Sequence, residues 1–216
     1  MRYYISDPHF FHNRLNDNMD HRGFESLEAM HEYMINKWNN KVRKNDEVVI
    51  LGDLSIGKGK STNEILEKLN GKLYMIKGNH DKWIDDKDAD LKRFSWIKEY
   101  AEMNDNGRKV ILCHYPILFY NGQYRLNENG DPKVYMLYGH VHNTMDLKLI
   151  DQYQKETRNT YRRSRNVEEP RPIPSNAINC FCMFSDYEPL TLDEWIELNN
   201  KREEAAMYHE NWVYDQ

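Results

Sequence analysis

Short apolar runs, each closed by a polar cluster, alternate along this chain with stretches in which apolar side chains recur every three or four positions. The runs RYYIS (2 to 6), EVVIL (47 to 51), KLYMIK (72 to 77), KVILC (109 to 113) and VYMLY (134 to 138) are rich in Val, Ile, Leu and Tyr and predict strands. AINCFCMF (177 to 184) predicts a late one. Leu27, Met30, Met34 and Trp38 form one apolar stripe, which predicts a helix from about Ser26 to Asn40. Ser61 followed by Glu64 has the pattern of a capping box, ahead of Ile65, Leu66 and Leu69, with Gly71 as the stop. Thr191 and Glu194 repeat that pattern before Trp195, Ile196 and Leu198. Strands alternating with helices predict a layered α/β fold.

Composition narrows this picture. At 216 residues, 39% hydrophobic and 30% charged, the chain has material for one domain with a real core, and we expect a single domain over 1–216. No stretch reaches the apolar length of a membrane span. The N-terminal MRYYISDPHF lacks a signal-peptide core, and the three cysteines form no disulfide framework, so the expected location is cytoplasmic, with no membrane partner. Cys180 and Cys182 read as two small core residues on one strand face. A net charge of -5 argues against a surface that grips nucleic acid throughout, though not against a local basic patch. The segment 151 to 176, Arg-rich and ending in three prolines, breaks the alternation. It reads either as a polar surface loop inserted in the domain or as a basic flap that offers Arg158, Arg162, Arg163 or Arg165 to a phosphate.

The polar clusters carry the chemistry. The first strand runs into Asp7 and His9, the second into Asp53, the third into Gly78-Asn79-His80-Asp81, the fourth into His114 and the fifth into His140 and His142. Ligands of α/β sheets bind at the carboxyl ends of strands, so segments scattered in sequence would converge there. Carboxylate, amide and imidazole groups without thiolate suit first-row divalent ions, and there are enough of them for two, with Asp53 as the natural bridge. Two such ions can hold a phosphoryl oxygen and supply hydroxide at neutral pH. Gly52, Gly78 and Gly139, each immediately before one of these polar residues, permit close backbone approach.

The ordered series Asp7-Pro8-His9, Gly52-Asp53, Gly78-Asn79-His80-Asp81, His114 and Gly139-His140-Val141-His142 resembles the calcineurin-like metallophosphoesterases, over residues 1 to about 150. INCFCMFSDYEPLTLDEW also resembles the closing strand, turn and helix of small bacterial members. The resemblance implies a four-layer α/β/β/α sandwich. It implies one ion on Asp7, His9, Asp53 and His142, and a second on Asp53, Asn79, His114 and His140. It further implies His80 as the general acid for the leaving oxygen, with Asp81 orienting its imidazole. Protein phosphatases of the superfamily carry Asp-Arg-Gly after Gly-Asp; LSIGKGKS stands here instead, which disfavours a phosphoprotein substrate. The N-terminal SDPHFFHNRLNDNMDHRGF resembles a bacterial and phage subgroup, in which His12 and Arg22 would line the substrate side and Arg22 would hold a phosphate oxygen.

The expectation is therefore a metal-dependent phosphoesterase, with a preference for diesters, that hydrolyses its substrate by attack of a hydroxide held at a dinuclear centre. Manganese leads among the ions, with iron, zinc, nickel and magnesium also compatible. A nuclease acting on DNA or RNA is the rival within hydrolases, with a nucleotide or nucleic acid as substrate. A scaffold that keeps the fold without catalysis is the rival from another class. The aromatic tail MYHENWVYDQ reads as a partner contact or as part of an amphipathic helix packed on the sheet.

Overall fold

The computed structural model describes residues 1–164 and 167–208. In chain order the elements are β1 (Arg2–Ile5), α1 (Arg14–Asp17), α2 (Leu27–Lys41), β2 (Glu47–Ile50), α3 (Gly59–Leu66), β3 (Lys72–Ile76), β4 (Phe94–Lys98), β5 (Tyr100–Asp105), β6 (Arg108–Cys113) and β7 (Val134–Tyr138). They are followed by α4 (Met145–Arg158), β8 (Tyr161–Ser164), β9 (Val167–Pro172), β10 (Ala177–Asn179) and α5 (Leu192–Tyr208).

Two four-stranded sheets form the framework. One has the order β1-β2-β3-β4 with every pair parallel; the other has the order β10-β7-β6-β5, parallel except for β5 against β6. Strand alternation sends one set of side chains between the sheets. Tyr4, Val49, Leu51 and Ile76 of the first sheet side meet Val110, Leu112, Leu137 and Ile178 of the second in one buried cluster. The opposite faces take helices. Ile5, Val48, Ile50 and Met75 pack against Met30, Met34 and Trp38 of α2 and Ile65 and Leu66 of α3, whereas Ile111, Met136 and Ala177 pack against Leu147 and Ile150 of α4. The fold is mixed α/β, and its buried clusters follow the order helix, sheet, sheet, helix. Each of these large apolar side chains contributes about 1.5–3 kcal/mol by leaving water, so the layers, and not any single turn, hold the strand ends in place.

The sheets also join directly. Beyond β10 the chain pairs with the end of β1, where Ser6 N–H donates to Cys180 O at 2.8 Å and Cys182 N–H donates to Ser6 O at 3.0 Å. The apolar run 177 to 184 is therefore a strand only over its first three residues, and Cys182 opens a 3-10 turn. Cys180 and Cys182 are both buried, but in different clusters and not on one strand face, because the chain leaves the sheet between them.

Helix ends agree in two of three places. Ser26 caps α2 by accepting from Ala29 N–H at 3.0 Å, and the Glu194 carboxylate accepts from Thr191 N–H at 2.8 Å ahead of α5. Ser61 caps nothing: α3 starts two residues earlier, after Lys58, and the Ser61 hydroxyl donates to Lys58 O at 2.9 Å. That helix stops at Leu66, and Gly71, at φ 99°, instead turns the chain into β3.

Segment 151 to 176 has regular secondary structure over much of its length. Its first eight residues continue α4, and β8 and β9 form an antiparallel ribbon. Gln154, buried in α4, pairs with Ala177 through both amide atoms, accepting at 2.8 Å and donating at 3.0 Å. Arg158 makes two hydrogen bonds to Glu203 of α5, and Arg162 lies 4.8 Å from the Tyr124 ring centroid. Polar composition hid the helix because its buried face is itself partly polar. Arg165 and residues 209–216 of the aromatic tail lie outside the described residues.

Candidate metal centre and active site

Every expected ligand segment starts where a strand stops. Asp7 and His9 follow β1, Asp53 follows β2, Asn79 and His80 follow β3, His114 follows β6, and His140 and His142 follow β7. Asp7, His9, Asp53, His140 and His142 all hold left-handed backbone angles, with φ between 47° and 71°. Asp, Asn and His tolerate that region better than bulkier residues, and concentrated backbone strain of this kind marks sites where side chains must point inward.

Three glycines make the room. A Cβ on Gly52 would overlap the His114 ring, one on Gly78 would overlap the Asp53 carboxylate, and one on Gly139 would overlap Asp7 and lie 2.6 Å from Ser6 Cβ. Each glycine thus admits a polar side chain brought by a different strand.

The side chains gather in two groups. Asp7, His9 and His142 bring their donor atoms within 4.8 Å of one another, and so do Asp53, His114 and His140. Asp53 Oδ2 lies 3.4 Å from His9 Nε2 and 3.5 Å from His114 Nε2, so it faces both groups. Asn79 Oδ1 stands 3.0 Å from His114 Nε2, which adds the amide to the second group. His9 Nε2 and His142 Nε2 stand only 3.1 Å apart.

Neighbouring groups fix the rings. His114 Nδ1 is 2.8 Å from the Leu51 carbonyl oxygen, and His142 Nδ1 is 2.7 Å from the Asp20 carboxylate. Both partners are acceptors, so each imidazole donates from Nδ1 and turns Nε2 to the site. The electrostatics are tightly coupled. Burial pushes the His9 imidazole down to about 3. Burial also works on His142, but its hydrogen bonds to Asp20 and Asp7 outweigh it and raise that imidazole to about 9. Against their own burial, Asp7 is held well below the usual carboxylate range by His142, and Asp53 is lowered by His114. Converging lone pairs and buried carboxylates are the donor set that a divalent cation neutralises, so these residues fit such an ion.

Asp20 is the functional residue that the sequence reading passed over. It sits in DNMDHRGF with no strand end beside it. Arg22 explains its placement. The Arg22 side chain is fully buried and donates to Asp20 at 2.8 and 3.0 Å, to Pro8 O at 2.6 Å and to Asp7 O at 3.1 Å. It therefore does not line the substrate side: its guanidinium clamps the Asp7-Pro8 backbone and the carboxylate that orients His142. Asn179 adds a donor to His142 O at 2.8 Å, and the Cys182 thiol lies 3.2 Å from Asp7 O.

Asp81 is also used differently from expectation. Its carboxylate is buried and accepts from Asp53 N–H at 2.7 Å, Gly78 N–H at 2.8 Å, Leu54 N–H at 2.9 Å and Trp83 Nε1–H at 3.1 Å. Those bonds bind the two metal-side loops together, and among the described residues none reaches the His80 imidazole. His80 itself is exposed, anchored by its backbone N–H to Asp53 Oδ1 at 2.8 Å, with its ring 5.3 Å from His9 and 6.2 Å from His12. His12 is 5.4 Å from His9, and its Nδ1 is buried without a partner.

Residues 4–159 match the family model of the calcineurin-like phosphoesterase superfamily domain. The chain belongs to that superfamily. The uncharacterized protein MJ1445 of Methanocaldococcus jannaschii is 32% identical over 201 residues, spanning 92% of this chain and 91% of its own. The crystal structure of the protein of unknown function AQ665 from Aquifex aeolicus has the same fold, with a TM-score of 0.60 at 22% identity over 92% of this chain and 98% of that one. Membership makes this a domain of a metal-dependent phosphoesterase superfamily, with divalent ions implied as cofactors and a phosphate ester as substrate. No helix among the described residues is long and apolar enough to cross a membrane.

Proposed function

We propose that this calcineurin-like phosphoesterase is a phosphodiesterase with a dinuclear centre, in which Asp7, His9, Asp53 and His142 hold one divalent ion and Asp53, Asn79, His114 and His140 hold the other. The observation that carries the reading is Asp53 Oδ2, which stands 3.4 Å from an imidazole nitrogen of one group and 3.5 Å from one of the other. Bound as a pair, such ions supply Lewis acidity to the phosphoryl oxygens and a hydroxide nucleophile at neutral pH. Manganese is the ion we expect to serve best, since carboxylate and imidazole donors without thiolate accept it readily.

The chain's own residues supply the rest. His80 and His12 stand on the flank beside His9, open to solvent on the His80 side. From there His80 donates a proton to the departing oxygen, a contribution of about 10²–10⁴ when the leaving group is a poor one such as an alkoxide. That need for a proton donor favours a diester of an ordinary alcohol. His12 offers its ring to the same departing group. A nuclease remains second, since the net charge is -5 and Arg158, one candidate phosphate ligand, is spent on Glu203.

The test is turnover of bis-p-nitrophenyl phosphate and p-nitrophenyl phosphate by metal-stripped protein before and after manganese is added. Manganese restores diester turnover, Asp53→Asn abolishes it, and His80→Ala lowers kcat at least tenfold for a diester with an alkyl leaving group. Absence of turnover on either ester, with metal bound, would rule the reading out.

A further inference from the structure

The rim of the site beside His114 and His140 carries exposed apolar side chains. Tyr115, the residue after His114, sets its ring 4.6 Å from His140 and 5.1 Å from His114. From Tyr115 the chain continues through Leu118 to Phe119, which is 65% exposed and stands 6.0 Å from the Tyr153 ring on α4. Met145 and Leu149, 51% and 58% exposed, lie two turns and one turn nearer the start of α4 on the face of Tyr153, because residues four apart share a helix face. That helix begins directly after the ligand loop of His140 and His142. Its core-facing side is already occupied by Leu147 and Ile150 packed on the sheet. Met145, Leu149 and Phe119 are therefore surplus to the core: the first two share the helix face of Tyr153, the ring that Phe119 meets, and together they make an apolar ledge along α4. Scattered exposed apolar residues need no explanation; a set on one helix face and the facing loop, beside a ring in contact with the candidate ligands His114 and His140, does.

We propose, resting on the phosphodiesterase reading above, that the substrate is an amphiphilic phosphodiester whose retained substituent is a long alkyl or acyl chain, seated on Tyr115, Leu118, Phe119, Met145 and Leu149. Two features select this occupant. The ledge is elongated, since Met145 to Tyr153 spans about 12 Å of helix at 1.5 Å per residue, which suits a chain better than a ring. It also lies on the flank of His114 and His140, whereas the proton donor His80 lies beside His9. The departing alcohol therefore leaves on the histidine side, and the group that stays on phosphorus lies along the apolar side. In the reaction the P–O bond to the leaving alcohol breaks, water oxygen forms the new P–O bond, the proton goes to the departing alkoxide, and the alkyl phosphate remains on the ledge until release.

The test keeps the leaving group constant and lengthens the retained group. Methyl, butyl and octyl p-nitrophenyl phosphate are hydrolysed by the manganese-loaded protein below their micellar concentrations, and kcat/KM is expected to rise at least tenfold from methyl to octyl, each buried methylene being capable of up to about fourfold. Phe119→Ser and Leu149→Ser are expected to reduce that octyl-to-methyl ratio to below about threefold. A flat series with measurable turnover overturns the inference and leaves the phosphodiesterase reading standing; absence of turnover on every ester overturns the reading itself. Calorimetric binding of octyl phosphate against methyl phosphate decides the ledge without turnover: it is supported if the octyl preference is lost in Phe119→Ser, and overturned if the two ligands bind alike. Equal loss, in both variants, of binding to vesicles that lack any diester would assign the ledge to a membrane surface and likewise overturn the proposal.

Discussion

The Asp81 carboxylate accepts the backbone N–H of Asp53 at 2.7 Å, so the residue that faces both ligand groups is held in place by a second, buried acid. Four well-formed hydrogen bonds converge on that carboxylate, and its burial still pushes it up to about 6. Replacing it leaves several buried N–H groups unsatisfied, at about 1–3 kcal/mol for each group stranded. Asp81→Ala is therefore expected to lower the denaturant midpoint of metal-free protein by an amount worth at least about 2 kcal/mol. An unchanged midpoint in urea unfolding would show that the brace is dispensable.

Asp20 is expected to act on the proposed metal centre through His142. Asp20→Asn keeps the shape but can offer its amide nitrogen to His142 Nδ1 in place of an acceptor, and it weakens the clamp by Arg22. Metal affinity in calorimetric titration should fall about 10–100-fold, the usual cost of losing such a partner. Equal affinity would mean that the 2.7 Å contact orients nothing.

Gly139→Ala tests how closely the ligand loops approach. The added Cβ would overlap the Asp7 carboxylate, so metal binding to the Asp7 group should be lost while the helices remain folded by circular dichroism. Full metal occupancy in this variant would show that Asp7 has freedom to move aside.

Asp151 gives the stability profile a sign that can be checked. Burial raises its carboxyl from 3.8 to about 6, against the pull of Arg202 and Arg158. A group whose folded value is raised binds its proton more tightly when folded, so its contribution is fully present below about pH 4 and is lost as pH rises through about 6. Asp151→Asn should match wild type near pH 4 and exceed it at pH 7.5 in urea unfolding. A variant that is weaker at pH 7.5 would mean that the arginines outweigh the burial.

The sheet strands that carry ligands were legible because each combines a β-branched or aromatic run with an abrupt polar stop, as in Val48, Val49 and Ile50 before Gly52-Asp53. β4 and β5 were not, since FSWIK and YAEMND alternate weakly and carry no such stop. The helix in 145–158 was masked by Gln154 and Thr157, polar residues that are buried, Gln154 through its paired hydrogen bonds to Ala177. Within the site, identity and order sufficed to foresee which side chains gather, because their spacing follows strand topology. The roles of Arg22 and Asp81 did not follow from sequence, because both are set by which backbone groups fold around them. Asp20 was missed for the same reason: a lone acid in a polar loop has no signature until His142 is brought beside it across the fold.

Whether the Asp53 carboxylate serves two ions is decided by a count of metal. Metal-stripped protein is titrated with manganese under electron paramagnetic resonance. Two ions per chain with an exchange-coupled spectrum are expected, reduced by Asp53→Asn to at most one uncoupled ion. A single uncoupled ion in the wild-type chain would contradict that shared role of Asp53.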